Sequence, residues 1–396
     1  MTIPLSGPFS GSLSRRDCLK AAVFSSLLSV PGTGALAAAQ TGPRRLLLIE
    51  LNGGNDGLNT VVPYADPLYA KLRPRLAIPR DAVLQLDEHM GLHPELAALM
   101  PMFQQRELAV VQGLGYAQSN RSHFRSIEIW DTATDADVIG QDGWLSRIDP
   151  QQQFGRRFAA DAVVIGRNPK PASGDDMQPV VMTDTRSFVS ESRGVQALEA
   201  SSENPALRRI LAVQRDIESA GHALTAQRPQ PAGEFPQGAF GRDAREAARL
   251  LIGDPATPVV KIALTGFDTH AGQLGRQQAL LRQLGDTLAA LKTAFTAAGI
   301  WSDVLVLTYS EFGRRVQENG SGGTDHGKAA PHFVLGGRVR GGLLGEAPAL
   351  AKLDDGDVTP TLDYRCLYNA VLGRWWAAGE AQIEPARYRA LDLLRA

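Results

Sequence analysis

Four of the seven histidines in this 396-residue chain fall in short segments that follow runs of apolar residues. These histidines are His123, His270, His326 and His332. An aspartate stands just before two of them, in Asp268-Thr269-His270 and in Asp325-His326. Imidazole nitrogen and carboxylate oxygen are ligands for zinc, manganese and similar divalent ions. Two such pairs, each set among glycines, predict a metal centre.

Other side chains suited to catalysis lie in segments of the same kind. They are Asp56 after Gly53-Gly54, the run Arg121-Ser122-His123, and Glu311 and Arg314. A serine hydroxyl beside a metal ion can act as a nucleophile, and a guanidinium can bind the oxygens of an anionic ester. A structural reading stays open for each: an Asx turn for Asp56, a helix N-cap for Ser122, and an ion pair between Glu311 and Arg314.

The elements that must position these residues are short, continuous apolar runs, which are typical of strands buried on both faces. We predict strands at Arg45–Leu51, Leu108–Gln112, Ala162–Ile165, Val259–Leu264, Val304–Thr308 and Phe333–Leu335. In open α/β sheets, ligands bind beyond the carboxyl ends of the strands. The candidate residues follow these strands, so we expect them to meet at one edge of a sheet.

Stretches with helical spacing separate the predicted strands. We predict helices at Pro94–Arg106, Asn204–Ala223, Arg242–Ile252 and Leu274–Ala298, and a surface loop at Gln227–Phe240. Strands that alternate with helices favour an α/β fold with a mostly parallel sheet covered on both sides. No repeat or linker divides residues 40–396, which we interpret as one domain.

The N-terminus has the features of an export signal. Ser14-Arg15-Arg16-Asp17-Cys18-Leu19-Lys20 precedes an apolar stretch, and a small-residue run ends near Ala39. The paired arginines resemble a twin-arginine signal, which indicates export by that machinery to the periplasm or the medium. Cleavage near residue 39 removes Cys18 and leaves Cys366 as the sole thiol, so we expect no internal disulfide.

Composition excludes several classes of protein. The formal net charge is −1, which argues against nucleic acid as a partner. No apolar run approaches the roughly 20 residues that span a bilayer, so we expect no stable membrane insertion after cleavage. The dinucleotide, P-loop and G-x-S-x-G signatures are absent from the sequence, which disfavours a nucleotide-binding protein or a metal-free serine hydrolase.

Several segments resemble the DUF1501 family of exported bacterial proteins, whose activity is uncharacterised. They are GGNDGLNTVVPY, RSHF, GFDTHAGQ, and SEFGRRVQENGSGGTDHGKA followed by His332. That family is grouped with the alkaline phosphatase and sulfatase superfamily. The resemblance implies a three-layer α/β/α fold like that of alkaline phosphatase, with a metal centre at one edge of the sheet.

The resemblance also implies roles for individual residues. Asp56, Asp325 and His326 would bind one ion, and Asp268, His270 and His332 would bind a second. Ser122 would be the nucleophile, with Thr60 as an alternative. The cofactor would be one or two divalent ions, of zinc, manganese or calcium.

Together these observations predict an exported, metal-dependent hydrolase of small phosphate or sulfate esters. Arg121, Arg125 and Arg314 would contact the ester oxygens, and Glu311 would orient a ligand histidine or a water. His123 is a further candidate catalytic residue beside Ser122. A non-catalytic exported protein, used for binding or cell-surface assembly on the same fold, is the alternative.

Overall fold

A nine-stranded β-sheet lies at the centre of the computed structural model. The structure describes residues 43–395 except 156–157, 159, 176, 196–197, 199–201, 226–229 and 254–256, so the predicted export signal lies outside the described residues. The strands in the described residues are β1 (Arg45–Asn52), β2 (Val61–Val62), β3 (Leu84–Gln85), β4 (Gly91–Leu92), β5 (Leu108–Gly115), β6 (Ala162–Ile165), β7 (Pro179–Met182), β8 (Val259–Thr265), β9 (Val304–Tyr309), β10 (Ala330–Leu335), β11 (Gly342–Leu344), β12 (Leu353–Asp354), β13 (Asp357–Val358) and β14 (Leu362–Asp363).

The strand order across the central sheet is β11-β5-β10-β9-β1-β8-β6-β7, with β14 paired to β5. Only β10 runs antiparallel to its neighbours, and the other described pairings of this sheet are parallel. The predicted α/β class with a mostly parallel sheet is therefore confirmed. Each of the six predicted strands lies within an observed strand.

Helices connect these strands. The α-helices in the described residues are α1 (Gly57–Thr60), α2 (Pro67–Leu72), α3 (Met100–Gln104), α4 (His123–Thr132), α5 (Pro150–Phe154), α6 (Thr185–Ser192), α7 (Pro205–Thr225), α8 (Ala239–Ile252), α9 (Gln273–Ala297) and α10 (Tyr364–Asn369). Short 3₁₀ turns occur at Pro94–Leu99, Trp144–Arg147, Lys170–Ala172, Trp301–Asp303 and Gly379–Ala381, and a π-turn at Ala370–Trp375. Among the described residues, none of the helices combines the length and apolar character that crossing a bilayer requires.

Strand β1 shows why the sheet has a layer on each face. Leu47, Ile49 and Leu51 belong to a core cluster that includes side chains of α8 and α9. The alternate residues Leu46 and Leu48 belong to a second cluster with side chains of α4 and α10. Successive side chains of a strand point to opposite faces, so a continuous apolar run requires cover on both. The expected three-layer α/β/α arrangement follows.

The predicted helix at Pro94–Arg106 is only partly regular. The structure has a 3₁₀ turn at Pro94–Leu99 and then α3. Leu96 leaves helical geometry, with φ −95° and ψ 19°. Pro101 follows in the first turn of α3, where its missing N–H costs nothing. Pro94 thus begins the first of two short helical turns, and Pro101 lies in the first turn of the second.

A buried polar network crosses the sheet beside α4. Lys261 Nζ lies 2.5 Å from Glu50 Oε2, and Tyr309 Oη lies 3.3 Å from Glu50 Oε2 and 3.1 Å from Asp131 Oδ1. Asn168 donates to the other oxygen of Asp131 at 2.8 Å. The single tyrosine proton cannot serve two carboxylates, so a proton on Asp131 completes the network. Burial raises the pKa of Asp131 to about 7, which is consistent with that proton.

We expect Asp131 to make folding stability dependent on pH. Its pKa is higher in the folded protein than the 3.8 of an ordinary aspartate, so its ionisation penalises the folded state progressively as the pH rises from about 4 to 7. Urea unfolding of the wild type and of Asp131→Asn at pH 5 and pH 8 should show the variant gaining roughly 2–3 kcal/mol relative to wild type at the higher pH. An equal difference at both pH values would contradict this assignment.

Candidate metal centre

The segments that follow β1, β5, β8 and β9 meet at the carboxyl edge of the sheet. His123 begins α4 after β5, Asp268 follows β8, and His326 lies in the turn after β9. Gly53, after β1, has φ +115°, and a Cβ there would lie 2.3 Å from the Asp268 nitrogen. Glycine is thus required where the segment after β1 approaches the segment after β8.

Three potential ligand side chains converge here. His123, Asp268 and His326 each offer a ligand atom, and these atoms lie within 4.8 Å of one another. His123 Nε2 is 3.5 Å from Asp268 Oδ2, and His326 Nε2 is 3.3 Å from Asp268 Oδ1. These three residues come from three different post-strand segments, as the sequence predicts for residues that share a site.

His270 is a fourth side chain at this cluster. Its Nε2 lies 3.1 Å from Asp268 Oδ1 and 2.9 Å from His326 Nε2. Two imidazole nitrogens at that distance share either a proton or a cation, since two lone pairs alone would repel. We call His123, Asp268, His270 and His326 the His/Asp cluster.

The other ring nitrogen of each histidine has its own acceptor. His123 Nδ1 lies 2.9 Å from Glu311 Oε1, and His270 Nδ1 lies 3.2 Å from Asp325 Oδ1. His326 Nδ1 lies 2.8 Å from the Arg121 carbonyl oxygen. An acceptor at Nδ1 places a proton there and leaves the Nε2 lone pair directed into the cluster. This is the usual arrangement of histidines that ligate metals.

The electrostatics of the cluster match these contacts. Burial opposes ionisation of Asp268, but the hydrogen bond from Arg314 and its positive charge outweigh it and lower the pKa of Asp268 to about 2. Burial lowers the pKa of His326, which keeps that ring neutral. The hydrogen bond to Glu311 raises the pKa of His123. The cluster thus combines a firmly ionised carboxylate with a neutral imidazole, both suited to a cation.

Four of the distances between donor atoms in the cluster fit a divalent ion. Two ligands at about 2.0–2.1 Å from a tetrahedral zinc ion lie roughly 3.3 Å apart. The contacts of Asp268 with the three histidines, and of His270 with His326, span 2.9–3.5 Å. The Asp268 and His270 side chains are 47% and 45% exposed, so the cluster is open to solvent and to a ligand.

The sequence predicts that Arg314 contacts an ester, but the structure places its side chain elsewhere. Its side chain is fully buried and bonds the carbonyl oxygens of Gly54 at 2.7 Å and Thr324 at 2.9 Å. It also pairs with Asp268 Oδ1 at 2.8 Å. Arg314 therefore ties three post-strand segments together, and its donors are already engaged.

Asp56 is not brought to the His/Asp cluster. It is fully buried and pairs with Arg73 Nη1 at 2.5 Å, and Gln273 donates to the same carboxylate oxygen. Arg73 is itself fully buried. A guanidinium thus supplies the positive charge that a metal would bring to Asp56. This placement does not support the expected role of Asp56 as a metal ligand.

His332 is also elsewhere, within β10. His332 is 1% exposed, and its ring packs edge to face against Trp130, with 5.4 Å between the ring centroids. Neither ring nitrogen has a hydrogen-bond partner among the described residues. Burial lowers its pKa to about 3, so the ring is neutral. A strand residue facing the core cannot reach the segment after β8, so the expected second ion loses His332, just as the expected first ion loses Asp56.

Two further expectations concern the start of α4. Ser122 is the N-cap residue but makes no capping hydrogen bond through its hydroxyl, and it is exposed between two residues that contact the cluster. Arg121 faces away, pairing with Asp357 and, at 3.1 Å, with Asp355. Arg125 donates to the carbonyl oxygens of Ala136 and Val138, so it is not placed for an ester either.

Sequence reasoning missed the residues that hold this machinery in place. Arg73 and Asp357 lie outside the segments that carry the family resemblance, and Gln273 ends one of them but was given no role. Gln273 and Asp357 each meet a partner more than 200 residues away in the chain. Asp325 was expected as a ligand, but it lies against Nδ1 of His270 rather than at the centre of the cluster. An aspartate next to a histidine in sequence does not reveal which carboxylate faces the ion.

Fold and site together define an α/β protein with a candidate metal centre of three histidines and one aspartate at the carboxyl edge of its sheet. Residues 143–385 match the family model described as a protein of unknown function, DUF1501. The match covers more than half of the 396 residues, so the chain belongs to the DUF1501 family. No curated protein sequence matches the chain.

Solved structures resemble the chain only weakly. The C-terminal periplasmic domain of EcEptC from Escherichia coli, in complex with zinc, is 13% identical with a TM-score of 0.34, over 75% of this chain and 74% of that one. The PsFucS1 sulfatase from Pseudoalteromonas sp. is 10% identical with a TM-score of 0.41, over 90% and 72%. A protein in the alkaline phosphatase superfamily from Vibrio parahaemolyticus is 11% identical with a TM-score of 0.34, over 78% and 64%. Scores this low assign no activity.

Proposed function

We propose that this protein is an exported, metal-dependent hydrolase of phosphate or sulfate esters. The observation that carries the proposal is the convergence of three imidazole Nε2 atoms on Asp268, each ring held by an acceptor at its Nδ1. Such a set of residues is unfavourable in a core or on a surface that binds no cation, because it brings nitrogen lone pairs and a negative charge close together.

The His/Asp cluster would hold one divalent ion, of zinc or manganese. When bound, that ion would supply a Lewis acid that stabilises negative charge on an ester oxygen and lowers the pKa of a hydroxyl or water. Glu311 and Asp325 are positioning residues, because each accepts from the far nitrogen of a ligand histidine. Arg314 keeps Asp268 ionised and aimed at the cluster.

The start of α4 would bind the anionic part of the substrate. The backbone N–H groups of His123, Phe124 and Arg125 precede the first intrahelical bond, which Ser126 N makes to the Ser122 oxygen. Such N–H groups favour an anion. The exposed Ser122 hydroxyl lies at the same helix end, so Ser122 is the candidate nucleophile, with water as the alternative.

Chelation tests this proposal. The purified protein should hydrolyse an aryl phosphate or aryl sulfate, and treatment with EDTA followed by removal of the chelator should lower the rate on the order of 100-fold. Zinc or manganese should restore it, and calcium serves as the third ion to compare. Full activity in protein shown by elemental analysis to be metal-free would contradict the proposal.

A non-catalytic binding protein is the second candidate function. Arg121 pairs with Asp357, and Arg314 pairs with Asp268. Neither of these two expected arginines is therefore free to hold an ester, which favours this candidate. A protein that retains its ion but hydrolyses neither class of ester would support this candidate.

Export belongs to the same proposal. Arg15-Arg16 and the apolar stretch that follows support passage through the twin-arginine machinery to the periplasm or the medium. That machinery and a small anionic ester are the partners we propose, and the near-zero net charge supports no nucleic-acid partner.

A further inference from the structure

Besides the His/Asp cluster, a polar cavity lies at the carboxyl edge of the sheet, over β1, β6 and β8. It encloses about 500 Å³. Its floor includes the ion pair of Glu50 and Lys261, whose side chains are each 4% exposed. This buried ion pair gives the cavity a rigid, polar floor that carries no net charge.

The walls carry polar side chains that the fold does not use. Arg167, Asp243, Thr265 and Gln283 all line the cavity. None of the four makes a side-chain hydrogen bond or ion pair within the described part of the chain. Thr265 and Gln283 can donate and accept hydrogen bonds, Arg167 can only donate, and the ionised carboxylate of Asp243 can only accept. Arg167 and Thr265 are exposed and Asp243 and Gln283 half-buried, so all four are accessible to a ligand that enters the cavity.

The lining also limits the charge and shape of that ligand. Two acidic side chains balance two basic ones, so the cavity has no net charge with which to select an ion. Phe240 and Leu264 add an apolar wall. Groups that both donate and accept, beside an apolar wall, suit a molecule with many hydroxyls and a C–H face. The volume is within the range of small-molecule sites.

We propose that this cavity binds the alcohol portion of the ester, and that this portion is a neutral carbohydrate. The cavity adjoins the His/Asp cluster through the backbone, because Thr265 ends β8 three residues before Asp268 and Phe267 N donates to the Asn52 oxygen at 3.1 Å. The assignment as part of a substrate rests on the proposed function, whereas carbohydrate binding itself does not.

Saturation-transfer NMR with free sugars tests the binding alone. The probes are glucose, galactose, mannose, fucose and N-acetylglucosamine, added to the full-length protein. At least one should bind, and Gln283→Ala should weaken it about three- to ten-fold, the effect of one lost hydrogen bond. The matched control is Gln152→Ala, an exposed glutamine outside the cavity, which should bind as wild type does.

Hydrolysis then separates the two claims. Gln283→Ala should raise KM for the phosphate or sulfate ester of the bound sugar by the same factor and leave the KM for an aryl ester unchanged. No binding by any of the five sugars, or binding that neither Gln283→Ala nor Thr265→Val weakens, would overturn the carbohydrate proposal even if esters are hydrolysed. Sugar binding without hydrolysis of any ester would overturn the proposed function and leave the cavity assignment standing.

Discussion

His326→Ala should abolish stoichiometric metal binding and ester hydrolysis together. His326 Nε2 is within reach of both Asp268 and His270, so the substitution removes the side chain that joins the two sides of the cluster. Changing only the hydrogen-bond partner of a ligand histidine costs roughly 10–100-fold in metal affinity. Loss of a ligand itself should cost more, and elemental analysis after dialysis should find less than one tenth of the wild-type metal.

The matched control is His89→Ala, which removes an exposed histidine outside the cluster and should keep both metal and activity. Circular dichroism would confirm that both variants are folded, since the ring of His326 also stacks on Phe312 at 4.3 Å. A folded His326→Ala protein with a full complement of metal would show that this histidine is not a ligand.

Asp56→Ala should destabilise the protein by about 3–5 kcal/mol without removing the metal. The substitution leaves the guanidinium of Arg73 fully buried and without its carboxylate partner. An uncompensated buried charge is among the costliest single changes in a protein. Urea unfolding measures the stability, and elemental analysis at low temperature measures the metal content of the folded variant.

Asp81→Ala is the control for this prediction, because Asp81 is exposed and has no hydrogen bond or ion pair among the described residues. It should change stability by less than about 0.5 kcal/mol. If Asp56→Ala lost the metal while unfolding at the same urea concentration as wild type, Asp56 would be a ligand after all, as the family resemblance implies.

The fold could be predicted from sequence because its strands are buried on both faces. The run at Arg45–Leu51 is continuous and apolar, and the structure places its alternate leucines in two different core clusters. Short strands such as β7 were not predicted, because Pro179–Met182 alternates between buried and exposed positions and begins with proline. Length and continuity of the apolar run thus decided which strands the sequence revealed.

The candidate site could be predicted only in part. The Asp268/His270 and Asp325/His326 pairs meet because the segments after parallel strands share one edge of the sheet. His332 belongs to a strand rather than to the segment after it, and Asp56 meets an arginine that is 17 residues away in the chain. Long-range partners of this kind leave no local pattern, so residue type and position alone could not separate a ligand from a structural ion pair.

Anomalous diffraction at the zinc or manganese absorption edge tests the central claim most directly. Crystals of protein purified without added metal should give one strong peak within about 2–2.5 Å of His326 Nε2 and an Asp268 carboxylate oxygen. No peak at the His/Asp cluster in protein that contains stoichiometric metal, or a peak beside Asp56 or His332 instead, would contradict the account.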